Sequence, residues 1–245
     1  MNNFVDFIVG NSGDKLQRGR RENGKGETMT LQKSETIVRP GRPSKEMRNA
    51  AAERIIETAT VLFASRGFAG TSMEQVASQC GAGKDTVYRR FPSKVALFEA
   101  VVEHAHKRAV ARLEDLPHME GDALERLQAL LLELLHINME PDLIALKRIT
   151  FSEAVVFEKN APIPKQPDPI MGRLVQAISE AQNAGMIADG EADAIASHLI
   201  HCLVAMPTSS AMMGSGDFDT KEAVDAHFDR TWGWLLKGVA PKIKS

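Results

Sequence analysis

One stretch of 28 residues, 71–98, constrains this chain more than any other part of its sequence. Thr71 and Glu74 have the spacing of a capping box, and apolar residues then recur at helical intervals, so a short helix is predicted. Gly81 and Gly83 interrupt it, because glycine supplies the backbone conformations of a tight turn. A second short helix follows. Two short helices joined by a glycine-bearing turn predict a helix-turn-helix, whose second helix fits the major groove of DNA.

The second helix carries polar side chains on its predicted outward face. The alternative is an ordinary solvated helix face, but the turn glycines and the flanking sequence favour DNA. Lys84, Thr86 and Arg89 are expected to contact bases. Tyr88, Lys94 and Thr71 are expected to contact phosphates, with Lys94 at the start of the next helix. The predicted DNA-binding residues are Arg42, Thr71, Ser72, Gly83, Lys84, Asp85, Thr86, Tyr88, Arg89 and Lys94.

Residues 54–102 resemble the N-terminal domain of the TetR family of transcriptional regulators. The matching features follow in order: an amphipathic first helix, Gly-Phe-Ala-Gly-Thr at the entry to the second, the glycine turn, Thr-Val-Tyr in the recognition helix, and Phe-Pro-Ser-Lys before the fourth. The resemblance covers about a fifth of the chain. It implies that the fourth helix connects a ligand-binding domain to the DNA-reading domain. The C-terminal half resembles AefR-like members more loosely.

Two positions depart from the usual pattern of this family. Gly83 stands where serine is frequent, so a side-chain cap and a phosphate contact are missing. Asp85 replaces a small residue, and a carboxylate repels phosphate unless it accepts a hydrogen bond from a cytosine amino group. Asp85 therefore either contributes to specificity or caps the helix, and we favour the cap.

The fold class follows from periodicity along the whole chain. Apolar residues recur at spacings of three and four, and strand-like alternation is nearly absent, so the protein is expected to be all-α. The first and fourth helices are expected near 45–65 and 93–113. Five further helices are expected near 122–139, 141–157, 167–185, 191–213 and 220–239, which makes about nine, the layout of the TetR family.

Charge and composition divide the chain into three expected segments. Residues 1–38 lack periodicity and are expected to be a disordered extension, with Met29 as a possible true start. Residues 39–110 hold 12 basic and 7 acidic residues and form the helix-turn-helix domain with a basic arm. Residues 111–245 hold 12 basic and 20 acidic residues and form the effector-binding and dimerisation domain. A basic part followed by an acidic part is typical of a DNA reader with a regulatory body.

The basic arm precedes the first helix. Arg42 lies in an Arg-Pro-Gly-Arg-Pro segment, and extended basic arms of this kind place arginine in the minor groove. The alternative is a polar linker.

Several function classes lack support in the sequence. Cys80 and Cys202 are too few and too far apart for a disulfide framework or a zinc cluster. His198 and His201 share a helical face without the spacing of a metal site. No signal peptide, membrane-length apolar run or catalytic motif is recognisable. We therefore expect a cytoplasmic protein that is not an enzyme and has no cofactor, metal or membrane partner.

Two further groups of residues are predicted from helical spacing in the C-terminal half. The ligand-pocket candidates are Leu135, His136, Met139, Phe151, Met171, Leu174 and His201, for which ordinary core packing is the alternative. The dimer-interface candidates on the last two helices are Leu199, Leu203, Met206, Phe228, Trp232 and Leu235, for which intramolecular core is the alternative.

The sequence as a whole predicts a ligand-responsive transcriptional regulator, a repressor that binds a palindromic operator as a homodimer. Its partners would be double-stranded DNA, a second copy of the chain and an unidentified small apolar or amphipathic effector that releases it from DNA. The alternative is an architectural DNA-binding protein of the same fold that has no effector.

Overall fold

The structure is a computed structural model that describes residues 45–114, 120–153 and 168–237. Over these ranges the chain is all-helical, which confirms the predicted fold class. The helices are α1 Lys45–Arg66, α2 Met73–Gln79, α3 Lys84–Arg90, α4 Lys94–Glu114, α5 Ala123–Asn138, α6 Pro141–Ser152, α7 Pro169–Asn183, α8 in three consecutive segments (Ala192–Ile200, a π-helical turn His201–Ala205, and Met206–Met213) and α9 Lys221–Lys237. The predicted extension, the Met29 start and the arm with Arg42 lie outside these residues.

The start of α2 differs from the sequence prediction by one residue. The capping box is formed by Ser72 and Gln75, in which the Gln75 N–H donates to Ser72 Oγ at 3.2 Å and the Ser72 N–H donates to Gln75 Oε1 at 2.9 Å. Thr71 is buried, and its hydroxyl contacts the carbonyl oxygens of Leu62 at 3.1 Å and Gly67 at 2.9 Å. The predicted Thr71–Glu74 box is therefore wrong, because the Thr71 hydroxyl is used within the core.

A first hydrophobic core, here called the N-terminal core, joins α1, α2, α3 and the first half of α4. At its centre the rings of Phe63 and Phe98 meet edge to face, with centroids 5.2 Å apart, and Phe68 packs against both. Such aromatic pairs stabilise beyond the area they bury. Leu146 and Ile149 of α6 also belong to this core. The first helix, α1, is packed against α6, so the N-terminal core includes a helix of the C-terminal half.

A second core, here called the C-terminal core, joins the end of α4 with α5, α7, α8 and α9. Leucines and isoleucines from α5 and α7 fill its middle, and Phe228 and Trp232 of α9 stack with centroids 6.1 Å apart. α4 enters both cores, since Phe98 lies in the N-terminal one and Leu113 in the C-terminal one. None of the described helices is long and apolar enough to cross a membrane.

The predicted dimer-interface residues separate into two groups. Leu199, Leu203, Phe228 and Trp232 are buried in the C-terminal core of a single chain, so they are not available to a partner. Met206 and Leu235 are 49% and 40% exposed. Four of the six predicted interface residues are therefore core residues, because a stripe with helical spacing looks the same in sequence whether a chain's own helices or a second chain covers it.

Candidate DNA interface

The turn between α2 and α3 depends on its glycines in different ways. Gly81 has a φ of 66°, a left-handed conformation that other residues rarely adopt. Gly83 has an extended backbone and is the N-cap residue of α3. Because glycine has no side chain, α3 lacks the side-chain cap that a serine would supply at this position. Asp85 lies in the first turn, where a negative charge complements the helix dipole. Val87 is fully buried and fixes α3 against the N-terminal core.

With Val87 facing inward, the opposite surface of α3 faces solvent. Gly83, Lys84, Asp85, Tyr88 and Arg89 are exposed, and Thr86 is half-buried. These predicted DNA-binding residues therefore occupy one accessible surface. Arg90 is also exposed, although the sequence analysis did not include it. The sequence feature that could have indicated Arg90 as a DNA-binding residue is its position beside Arg89 at the basic C-terminal end of α3.

Glu74 of α2 links two of these α3 side chains. Its carboxylate lies 2.8 Å from Lys84 Nζ and accepts a hydrogen bond from the Tyr88 hydroxyl at 3.1 Å. The hydrogen bond from Lys84 is the main reason that the pKa of Glu74 is lowered to about 2, and the same contact raises the pKa of Lys84. Sequence reasoning assigned Glu74 to the capping box and missed this role. In the free protein, a carboxylate neutralises one of the charges that DNA phosphates would meet.

Replacing Glu74 with glutamine is expected to increase affinity for DNA several-fold. The change removes a negative charge at the interface and leaves the positive charge of Lys84 uncompensated. Fluorescence anisotropy on a labelled duplex measures the effect, and Glu222→Gln on α9 is a control with the same change in net charge. An equal gain in both variants, or weaker binding by Glu74→Gln, would contradict this role.

Lys94 is the second position where the structure differs from the sequence interpretation. Its Nζ donates to the carbonyl oxygens of Phe68 at 2.8 Å and Thr71 at 3.0 Å, and it lies 4.4 Å from the centroid of the Phe68 ring. The ammonium therefore ties α4 to the connection between α1 and α2. Two of the three N–H donors of its ammonium are used inside the protein, so these contacts give Lys94 a structural role, and the expected phosphate contact stays a prediction. Thr71 is removed from the accessible surface by burial.

Replacing Lys94 with methionine is expected to destabilise the N-terminal core by about 1–2 kcal/mol, because two half-buried hydrogen bonds from the ammonium are lost. The methionine retains the packing on Phe68. Urea unfolding measures the loss, and Lys107→Met, at an exposed position of α4, is the control. DNA binding is then measured at several salt concentrations, at a temperature where the variant is folded. A plot of log affinity against log salt concentration should have the same slope for the variant and the wild type. A slope smaller by about one, with unchanged stability, would instead indicate a phosphate contact.

The predicted ligand-pocket residues do not form one group. Leu135 and Leu174 are buried in the C-terminal core, and Met139 and Met171 pack against it. His136 is half-buried, with its Nε2 2.5 Å from Asp225 of α9. Phe151 is 45% exposed and His201 is also exposed, so these two are not part of an enclosed site in this structure. Within the described ranges, no cluster of three or more His, Cys, Asp or Glu residues is positioned to hold a metal ion.

The fold and the exposed recognition helix define a helix-turn-helix transcriptional regulator that binds DNA. Residues 55–101 match the model of the bacterial regulatory proteins of the tetR family. A solved TetR-family regulator from Mesorhizobium loti aligns at 26% identity and a TM-score of 0.63, over 78% of this chain and 96% of that one. Residues 55–101 therefore form a DNA-binding domain of the tetR family type, and the described helices have the fold of a TetR-family regulator.

Three other proteins extend the comparison. A stretch of 56 residues is 45% identical to the HTH-type regulator YerO of Bacillus subtilis, covering 23% of this chain and 19% of that protein. The nucleoid occlusion factor SlmA of Vibrio campbellii is 22% identical over 76% of this chain and 94% of its own. A regulator from Saccharomonospora viridis, solved in complex with choline, has a TM-score of 0.59 at 22% identity, over 79% of this chain and all of that one, which shows a shared fold.

Proposed function

We propose that this protein is a ligand-responsive transcriptional repressor that binds a palindromic operator as a homodimer in the cytoplasm. A small apolar or amphipathic effector would release it from DNA. The proposal rests on the observation that α4 takes part in both hydrophobic cores. Leu97, Phe98 and Val101 of this helix are buried in the N-terminal core, and Ala109 and Leu113 are buried in the C-terminal core. A change in the packing of one core therefore shifts a helix that is part of the other.

Ion pairs reinforce this connection. Arg112 of α4 pairs with Glu133 and Glu140 of the α5–α6 region, and Arg108 lies 3.6 Å from Glu140. An effector that repacks α5 or α6 would be coupled to α4 through these contacts. Control of this kind requires the effector to bind the two arrangements with different affinity.

The proposed dimer would use the apolar side chains left exposed on α8 and α9. Met206 and Leu235 lie there, with Trp234 and Leu236, which are 55% and 44% exposed. An isologous contact through these helices would fix the distance between two recognition helices. Half-sites on DNA are separated by about 34–36 Å, one helical turn, so this distance decides affinity.

The test is fluorescence anisotropy of the purified protein on labelled duplexes that tile its own upstream region, across a series of salt concentrations. We expect tight binding to one duplex, a marked loss in Tyr88→Ala, and release by one class of small molecule. The salt slope should fall in Tyr88→Ala if its hydroxyl contacts a phosphate.

The alternative is an architectural DNA-binding protein without an effector. It is supported by the similarity, over most of the chain, to a protein named for nucleoid occlusion and not for the regulation of transcription. This alternative predicts weak binding of similar strength to all the duplexes. Genome-wide footprinting would then give many sites, and no small molecule would change the affinity.

A further inference from the structure

A buried lysine and a buried asparagine form a polar pair inside the C-terminal half. Lys147 of α6 is 5% exposed and Asn138, the last residue of α5, is 2% exposed. The Lys147 ammonium donates to Asn138 Oδ1, and Asn138 Nδ2 donates to the Leu134 carbonyl oxygen at 2.7 Å. An ammonium carries three donors, and the structure gives this one a single acceptor among the described residues.

The pair has no carboxylate partner in the part of the chain that the structure describes. The nearest acidic positions in sequence, Glu140 and Asp142, face α4, where they pair with Arg108 and Arg112. Burial alone lowers the pKa of Lys147, to about 7. A buried amine that lacks a counter-ion is stabilised in its charged form when an anion arrives beside it.

The pair also lies where the two cores meet. Ile137, next to Asn138, is buried in the C-terminal core, and Leu146, next to Lys147, is buried in the N-terminal core. Leu143, one turn before Lys147 on α6, packs against both. A molecule bound here would contact α5 and α6 at the place where residues of the two cores adjoin.

We propose that Lys147 and Asn138 bind the head group of the effector, and that the effector is an amphipathic molecule carrying a carboxylate. This inference rests on the proposed function and names the ligand class of its effector site. One carboxylate oxygen would accept from the Lys147 ammonium. The other would accept from the Asn138 amide, which would exchange its bond to Leu134 for one to the ligand. The apolar part of the molecule would pack against the leucines of α5.

The proposal predicts proton uptake on binding, because the bound anion favours the charged form of Lys147. Decanoate is the probe, and 1-decanol is its uncharged counterpart. Isothermal titration calorimetry at pH 8 in two buffers of different ionisation enthalpy should give about one proton taken up per decanoate bound to the wild type. Binding of 1-decanol should be accompanied by no proton uptake.

Two variants and a control locate the effect. Lys147→Met should weaken decanoate binding at least tenfold and leave 1-decanol binding unchanged. Asn138→Asp supplies an internal carboxylate to Lys147 and should abolish decanoate binding. Lys107→Met, at the exposed position of α4, should behave as the wild type.

The outcomes separate this inference from the proposed function. Equal decanoate affinity in wild type and Lys147→Met would overturn the inference, as would binding without proton uptake. A second outcome would also overturn the inference: 1-decanol releases the protein from the operator duplex, but carboxylates of six to sixteen carbons do not bind the protein. In that case the ligand-responsive function still stands. If decanoate binds through Lys147 without changing affinity for DNA, the site is supported and the proposed control of DNA binding is wrong.

Discussion

Replacing Phe63 with alanine is expected to destabilise the helix-turn-helix by about 3–5 kcal/mol, the usual cost of removing a buried aromatic ring. Phe63 is fully buried, and its ring contacts both Phe68 and Phe98. The cavity would loosen α1 and α4 around α3, so we expect binding to the operator duplex to be lost. The residues of the C-terminal core do not include Phe63, and their packing should persist.

The chain provides a separate probe for each core. Both tryptophans, Trp232 and Trp234, lie in α9, so tryptophan fluorescence reports on the C-terminal core. In urea, Phe63→Ala should show an early loss of far-UV circular dichroism and an almost unchanged tryptophan transition. Phe228→Ala, which removes the ring stacked on Trp232, is the matched control and should shift the tryptophan transition. If Phe63→Ala shifts both signals equally, the two cores unfold as one cooperative unit.

Periodicity was sufficient to predict the helices and most of the recognition surface. α3 is seven residues long, and only Val87 among its residues is buried. The predicted outward side chains therefore lie at the surface or are half-buried, and Arg90, which was not predicted, lies at the surface as well. The glycine turn was recognisable because a left-handed conformation at Gly81 favours that residue. These features are local, and local sequence determines them.

The contacts that sequence reasoning missed join residues that are distant in the chain or depend on how the helices pack. Lys94 donates to a carbonyl 26 positions earlier, and no spacing rule distinguishes that contact from a phosphate contact. Thr71 was predicted to cap α2, but its hydroxyl donates to the carbonyl oxygens of Leu62 and Gly67, and Ser72 forms the cap. Phe228 has the spacing expected of an interface residue and is buried in its own chain. Each of these contacts is determined by packing in three dimensions, which spacing along the chain does not reveal.

Lys147→Met is expected to stabilise the protein, and the gain should depend on pH. Burial lowers the pKa of Lys147 to about 7 in the folded state, whereas an unfolded lysine has a pKa of about 10.4. Below pH 7 both states are protonated, so the full cost of burying the charge is present. Between about pH 7 and 10 the unfolded state retains a proton that the folded state has released, and wild-type stability therefore rises with pH.

Methionine has a similar length and no charge, so the variant lacks this cost at every pH. The cost of burying the charge amounts to about 1.4 kcal/mol per unit of pKa difference, so near pH 6 we expect a gain of a few kcal/mol, less the hydrogen bond that Asn138 Oδ1 loses. The gain should decrease steadily from about pH 7 to pH 10, because the folded amine is already neutral over this range and the unfolded lysine loses its proton only near pH 10. Urea unfolding at several pH values measures the difference, with Lys107→Met as the exposed control. A difference that stays constant with pH would mean that Lys147 is not buried as a charge, and its role as the partner of an anionic effector would lose its physical basis.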